Sequence, residues 1–98
     1  MNRRYQLRQH AKDDLEQIWL YSADKWGQAQ ANRYLSQLFK CLNQLAQNPA
    51  LGVKREDVRP GYFSFSVLQH RVFYLQDASG IDVVAIIHQR MDVKSANI

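Results

Sequence analysis

The sequence predicts an α+β fold in the order strand, helix, helix and three strands. The helices form a hairpin on one face of an antiparallel-rich sheet. Two patterns carry this. Ala31, Tyr34, Leu35, Leu38, Cys41, Leu42 and Leu45 form a continuous apolar stripe at helical spacing, which breaks at Asn48-Pro49. After Pro60-Gly61 the period changes to that of strands, in YFSFSVL, HRVFYL and IDVVAIIH.

The first strand is read from RYQLRQH, where Tyr5 and Leu7 alternate with Arg4, Gln6 and Arg8 to give a basic outer face. A helix follows, with Ala11, Leu15, Ile18, Trp19, Ser22 and Trp26 at helical spacing and Asp13, Asp14 and Glu16 early, where the helix dipole favours anions. Gly27 ends it, and a second helix runs from about Gln28 to Gln47; so short a connection makes the pair antiparallel. ALGVKREDVRPGY reads as a loop. In the next strand Phe63, Phe65 and Val67 point to the core, while Ser64 and Ser66 face water or a partner. QDASG turns the last two strands into a hairpin, and Val83 to Ile87, apolar on both faces, belongs inside the sheet rather than at its edge.

With 98 residues, the chain is expected to be a single domain spanning 1–98. Its 46% hydrophobic content, with four Gly and two Pro, fits a packed core, and no repeat, linker or low-complexity segment interrupts it. The longest aliphatic run falls far short of the roughly 20 residues of a membrane helix, and MNRRYQLRQH lacks a signal-peptide core. No membrane association and a cytoplasmic location are expected. Cys41, the single cysteine, sits in the helical stripe and reads as a small buried side chain. The net charge of +4 suits contact with nucleic acid or an acidic protein segment without choosing between them.

His10, His70 and His88 fall on different elements and no cysteine pair exists, so neither a metal nor a cofactor is expected. Lys54, Arg55, Arg59, Arg71, His88 and Arg90 remain as a basic group that the sheet can gather on its concave side. Such a group suits metal-free RNA cleavage, with His88 as acid or base and arginine on the phosphate, whereas KRED reads equally as a solvated loop. Met91 is expected in the core, with Arg90 and Asp92 flanking it on one side, so that Arg90, Met91 and Asp92 latch the last strand.

Particular residues carry a family resemblance. They are Ala11, Asp14-Leu15, Ile18 and Tyr21, then Trp26-Gly27, Gln30-Ala31 and Tyr34, followed by Leu45-Ala46, Pro49 and Gly52. Arg59, Gly61-Tyr62, His70, Phe73-Tyr74, Ile87-His88 and Arg90-Met91-Asp92 complete the set. With these the chain resembles ParE-type toxins of the RelE/ParE superfamily from bacterial toxin–antitoxin modules. The resemblance implies the superfamily's strand-helix-helix-three-strand fold, poisoning of DNA gyrase without an active site of its own, a role in plasmid stabilisation, and neutralisation by a cognate antitoxin in a hetero-oligomer. The alternative it implies is a ribosome-dependent mRNA endoribonuclease of the RelE type, for which Arg59, His88 and Arg90 are the candidates. Gln89 follows His88 where a tyrosine would be expected, and YFSFSVL offers no glutamate base, so no catalytic residue is assigned. Arg59, His88 and Arg90 are the expected target contacts. Arg4, Arg8, Trp19, Tyr62 and Phe63 are the expected contacts for an acidic, amphipathic antitoxin segment.

Overall fold

A computed structural model describes residues 3–98. The order is β1 (Arg4–Leu7), α1 (Gln9–Trp26), α2 (Gln28–Gln47), a 3₁₀ turn (Pro49–Leu51), β2 (Val53–Lys54), β3 (Phe63–Val67), β4 (His70–Asp77), β5 (Gly80–His88) and α3 (Val93–Ala96). All five strands form one sheet in the order β1-β5-β4-β3-β2, with β1 parallel to β5 and every other pair antiparallel. The fold is α+β, and β5 lies inside the sheet between β1 and β4.

The helical hairpin covers one face. Leu35, Leu38, Cys41, Leu42, Leu45 and Ala46 of α2 join Ala11, Leu15 and Ile18 of α1 against Val72, Tyr74, Ile81, Val83 and Ile86 of the sheet. Leu38 and Leu42 are fully buried, and burial of such a side chain contributes roughly 1.5–3 kcal/mol. Gly27 serves both helices: at φ +92° it accepts the turn, its N–H bonds to Ala23, and its carbonyl receives Ala31 N–H.

Two close approaches fix how the layers meet. Tyr74 is fully buried, and its hydroxyl donates to Pro49 O at 2.6 Å while accepting from Gly52 N at 2.9 Å, which ties the 3₁₀ turn to the sheet. A Cβ on Gly52 would lie 2.1 Å from that oxygen. Gly80, at φ +145°, faces Arg4, whose carbonyl oxygen a Cβ would meet at 1.9 Å. Only a residue without a side chain lets β1 lie against the start of β5.

The structure corrects several readings. The first strand stops at Leu7, and α1 already includes His10, because His10 Nδ1 bonds Asp14 one turn on. Ser64 is buried rather than open, and the second face of the sheet is largely covered. Tyr62, Phe73, Val84, Ala85 and Ile87 pack there beneath Val58, Val93, Ala96 and Ile98. The cover is the loop between β2 and β3 together with α3, a helix the sequence pattern did not announce, which explains why β5 is apolar on both faces. Asp92 caps α3 by accepting Lys94 N–H, so its carboxylate serves the segment that follows β5. Met91 is 47% exposed: its N–H bonds His88 O in a turn that lifts the side chain out of the core.

Candidate functional site

The ends of β4 and β5 carry a histidine pair, and a bulge puts it where it is. Along β5, Ile81 and Val83 face the helices, and strict alternation would turn Ile86 and His88 away from them. The register shifts between Phe73 and Tyr74, which pair with Ala85 and Val83, so Val84 is an extra residue. Val84 and Ala85 then both lie in the cluster on the far face, Ile86 returns to the helix side, and His88 comes opposite His70. The two rings meet edge to face with centroids 5.4 Å apart.

α2 supplies the third member. Tyr34 OH lies 2.6 Å from His70 Nδ1, and the same oxygen accepts Gln69 N–H at 3.2 Å. Burial, with His88 adding to it, pushes His70 down to about 4, so the ring is neutral at physiological pH. Burial likewise raises Tyr34 above the usual phenol value, against the Gln69 bond. His88 Nδ1 accepts the Arg90 N–H at 3.1 Å, a backbone-satisfying role at the strand end. Around this group lies an open cleft of about 280 Å³, walled by Ile18, Tyr21, Ser22 and Trp26 of α1 and by Ile86 and Met91.

Asp14 forms the back of the cleft and holds three elements together. Beyond the end of β1 the outer edge of β5 has no strand partner among the described residues, and Asp14 Oδ2 takes the Ile86 N–H at 2.9 Å. The same oxygen is 2.8 Å from His10 Nδ1, while His10 Nε2 is 3.1 Å from Ala96 O on α3. Burial works to lower the His10 pKa, but the Ala96 carbonyl and the Asp14 carboxylate outweigh it and raise the value above 6.5. Asp14 thus serves β5 and His10 rather than the α1 dipole.

The expected site residues do not converge. Arg59 donates to Ile98 O at 2.9 Å in a second cleft, lined by the 55–60 loop and α3 on the other side of the sheet from His88. Arg55 pairs with Asp57 at 3.0 Å and lies over the Phe73 ring, and Glu56 accepts Gly61 N–H, so Arg55 to Asp57 are engaged within their own loop, while Lys54 belongs to β2 rather than to the expected loop. Arg90 is exposed beside His88. On the proposed partner surface, Arg4 and Arg8 are exposed, Arg8 bonding Asp82 at 2.9 Å. Trp19 is half-buried and bonded to Asn32, Phe63 stacks on Tyr74, and Tyr62 is only 6% exposed, too little to be a contact surface. Cys41 is buried. Among the described residues no three His, Cys, Asp or Glu side chains gather as metal ligands, and no helix is long and apolar enough to cross a membrane.

Sequence reasoning did not join Tyr34, His70, Tyr21 and Trp26 to His88. Their signal was present in the family resemblance, which includes all five, but no spacing rule links a helix residue to strand residues 36 positions away.

Comparison with known proteins agrees with the fold. The family described as ParE toxin of type II toxin-antitoxin system, parDE, matches residues 5–93. A Toxin ParE1 of Mycobacterium tuberculosis is 43% identical over 94 residues, covering 95% of this chain and 96% of that protein. A Toxin ParE1 of Caulobacter vibrioides is 33% identical over 91 residues, covering 93% and 94%. Among solved structures, a chain of the chromosomal ParDE system of P. aeruginosa superposes with a TM-score of 0.76 at 16% identity, covering 89% of this chain and 96% of that one. A chain of the RelBE2 toxin-antitoxin complex of Mycobacterium tuberculosis gives 0.65 at 17% identity, covering 91% and 100%. At those identities the two structures are similar in fold alone.

Proposed function

The chain belongs to the ParE toxin family of type II toxin–antitoxin systems, and on that premise we propose that it is a cytoplasmic inhibitor of DNA gyrase, neutralised by a cognate antitoxin. The observation that favours this over the ribonuclease reading is the separation of Arg59 from His88. A metal-free ribonuclease needs an acid or base and a phosphate-holding cation around one reacting phosphate. Of the three candidates Arg59 is instead held at Ile98 on one side of the sheet, which leaves only Arg90 of that set beside His88 on the other. A poison that works by binding its target needs no such convergence.

The antitoxin is read as an acidic, amphipathic segment that orders on binding, met by Arg4 and Arg8 and by the half-buried Trp19 and Phe63. The toxin–antitoxin hetero-oligomer would then release active toxin when the antitoxin is lost, which fits a role in plasmid stabilisation. The test is to incubate purified toxin with gyrase, supercoiled plasmid and ATP. Cleaved plasmid accumulates if gyrase is poisoned, and prior addition of antitoxin prevents it. Intact plasmid at molar excess of toxin, with mRNA cut in a translating extract, rejects the gyrase reading in favour of the ribonuclease.

A further inference from the structure

We propose that the cleft between α1 and the ends of β4 and β5 binds a single unstacked nucleobase, and that guanine is the base it fits. The proposal stands whether or not gyrase is the target, because it rests on donors and walls within this chain.

The hydrogen bonds behind the two histidines fix what they offer in front. His88 Nδ1 accepts Arg90 N–H, and we assign the Tyr34 hydroxyl proton to its short contact with His70 Nδ1, because the same oxygen already accepts Gln69 N–H. A neutral imidazole whose Nδ1 accepts carries its proton on Nε2. Neither Nε2 has a partner among the described residues, where no buried side-chain nitrogen or oxygen lacks one, so both Nε2 atoms are accessible on rings that line the cleft. The result is two neutral donors on paired strand positions.

That arrangement selects by exclusion. A metal ion would need Nε2 as a lone pair, and both are protonated. An anion would lose its hydration among Ile18, Ile86, Met91 and two aromatic rings beside the Asp14 carboxylate, with only uncharged donors, the imidazoles and the side chains of Gln17, Ser22 and Gln69, as its compensation. A flat neutral ring with two neighbouring acceptors meets no such penalty. Guanine presents N7 and O6 side by side on one edge, whereas adenine places a donor next to its N7.

The rim supplies the rest of a single-strand site. Tyr21 and Trp26 are 59% and 52% exposed and lie edge to face at 6.1 Å, with Lys25 Nζ 5.3 and 5.6 Å from the two rings. Exposed aromatic rings beside a lysine offer stacking to a base and a cation to the strand's phosphate, which stays outside in water. About 280 Å³ is the space of a small ligand, enough for one base and too little for a duplex.

The test is fluorescence anisotropy with 5′-fluorescein thymidine pentamers that differ only in a central guanine or adenine. The guanine probe should bind about 5- to 150-fold more tightly. His88→Phe, which keeps a flat ring and removes the donor, should bring the two probes to one affinity, and Trp26→Ala should weaken both alike. Equal binding of the two probes by the unmodified protein overturns the proposal, as does no binding at millimolar probe. A guanine preference that survives His88→Phe in a protein with an unchanged thermal melt also overturns it. Nitrogen NMR of labelled histidine gives a check without mutation: both rings should be in the Nε2–H form at pH 7, and their Nε2 signals should move with the guanine probe alone. An Nδ1–H tautomer in either ring sinks the proposal. No base preference, with Trp26→Ala weakening the antitoxin complex instead, would assign the cleft to a protein partner.

Discussion

Replacing Asp14 with alanine removes one carboxylate oxygen that serves two elements. Ile86 is 2% exposed, so its N–H loses Asp14 without gaining water, and an unsatisfied buried donor costs about 1–3 kcal/mol. The His10 contact, between side chains 40% and 20% exposed, adds at most about 1 kcal/mol. Asp14→Ala should therefore lose about 1–4 kcal/mol, which in a chain of this length lowers Tm by about 4–32 °C. Far-UV circular dichroism through thermal and urea unfolding at pH 7 measures both. Asp14→Asn keeps an oxygen for Ile86 N–H and should lose less than half as much. The pH dependence supplies a second arm. His10 is raised above 6.5 in the folded chain, so its contribution is complete below 6.5 and disappears as pH rises through the raised value. Relative to the unmodified protein, both variants should lose that fall in stability with rising pH. A loss under about 0.5 kcal/mol for Asp14→Ala, within the range of an ordinary surface change, or a pH profile parallel to the unmodified protein, refutes the role assigned to this carboxylate.

Three further outcomes follow from single contacts. His70 is depressed to about 4, so the unfolded chain takes up its proton first, and stability should fall as pH drops from 6.5 towards 4; urea midpoints across that window should show the fall, and His70→Phe should flatten it. Met91→Ala should change stability by less than about 0.5 kcal/mol because the side chain is 47% exposed, and a loss above 2 kcal/mol in a urea titration would return Met91 to the core. Tyr74→Phe leaves Pro49 O and Gly52 N without the hydroxyl between them and should cost about 1–3 kcal/mol in the same titration, while a neutral result would mean water replaces it.

The chain's own pattern determined the elements. The Ala31-to-Leu45 stripe, Gly27 between two helical periods and the alternation of YFSFSVL each encode a local conformation, because burial on one face imposes a period that neighbouring residues reveal. The double-sided apolar run of β5 likewise placed that strand inside the sheet. The identity of what covers its second face was not legible: α3 is four residues long, capped by Asp92, with His10 from a distant element at its Ala96 carbonyl and Arg59 at Ile98 just beyond it. The candidate site depended still more on tertiary structure. One extra residue at Val84 reverses the facing of everything after it in β5, bringing His88 to His70 and leaving Arg59 behind the sheet. A bulge of this kind is settled by which side chains fill the two cores, a comparison of long-range packing energies that leaves no mark on local spacing.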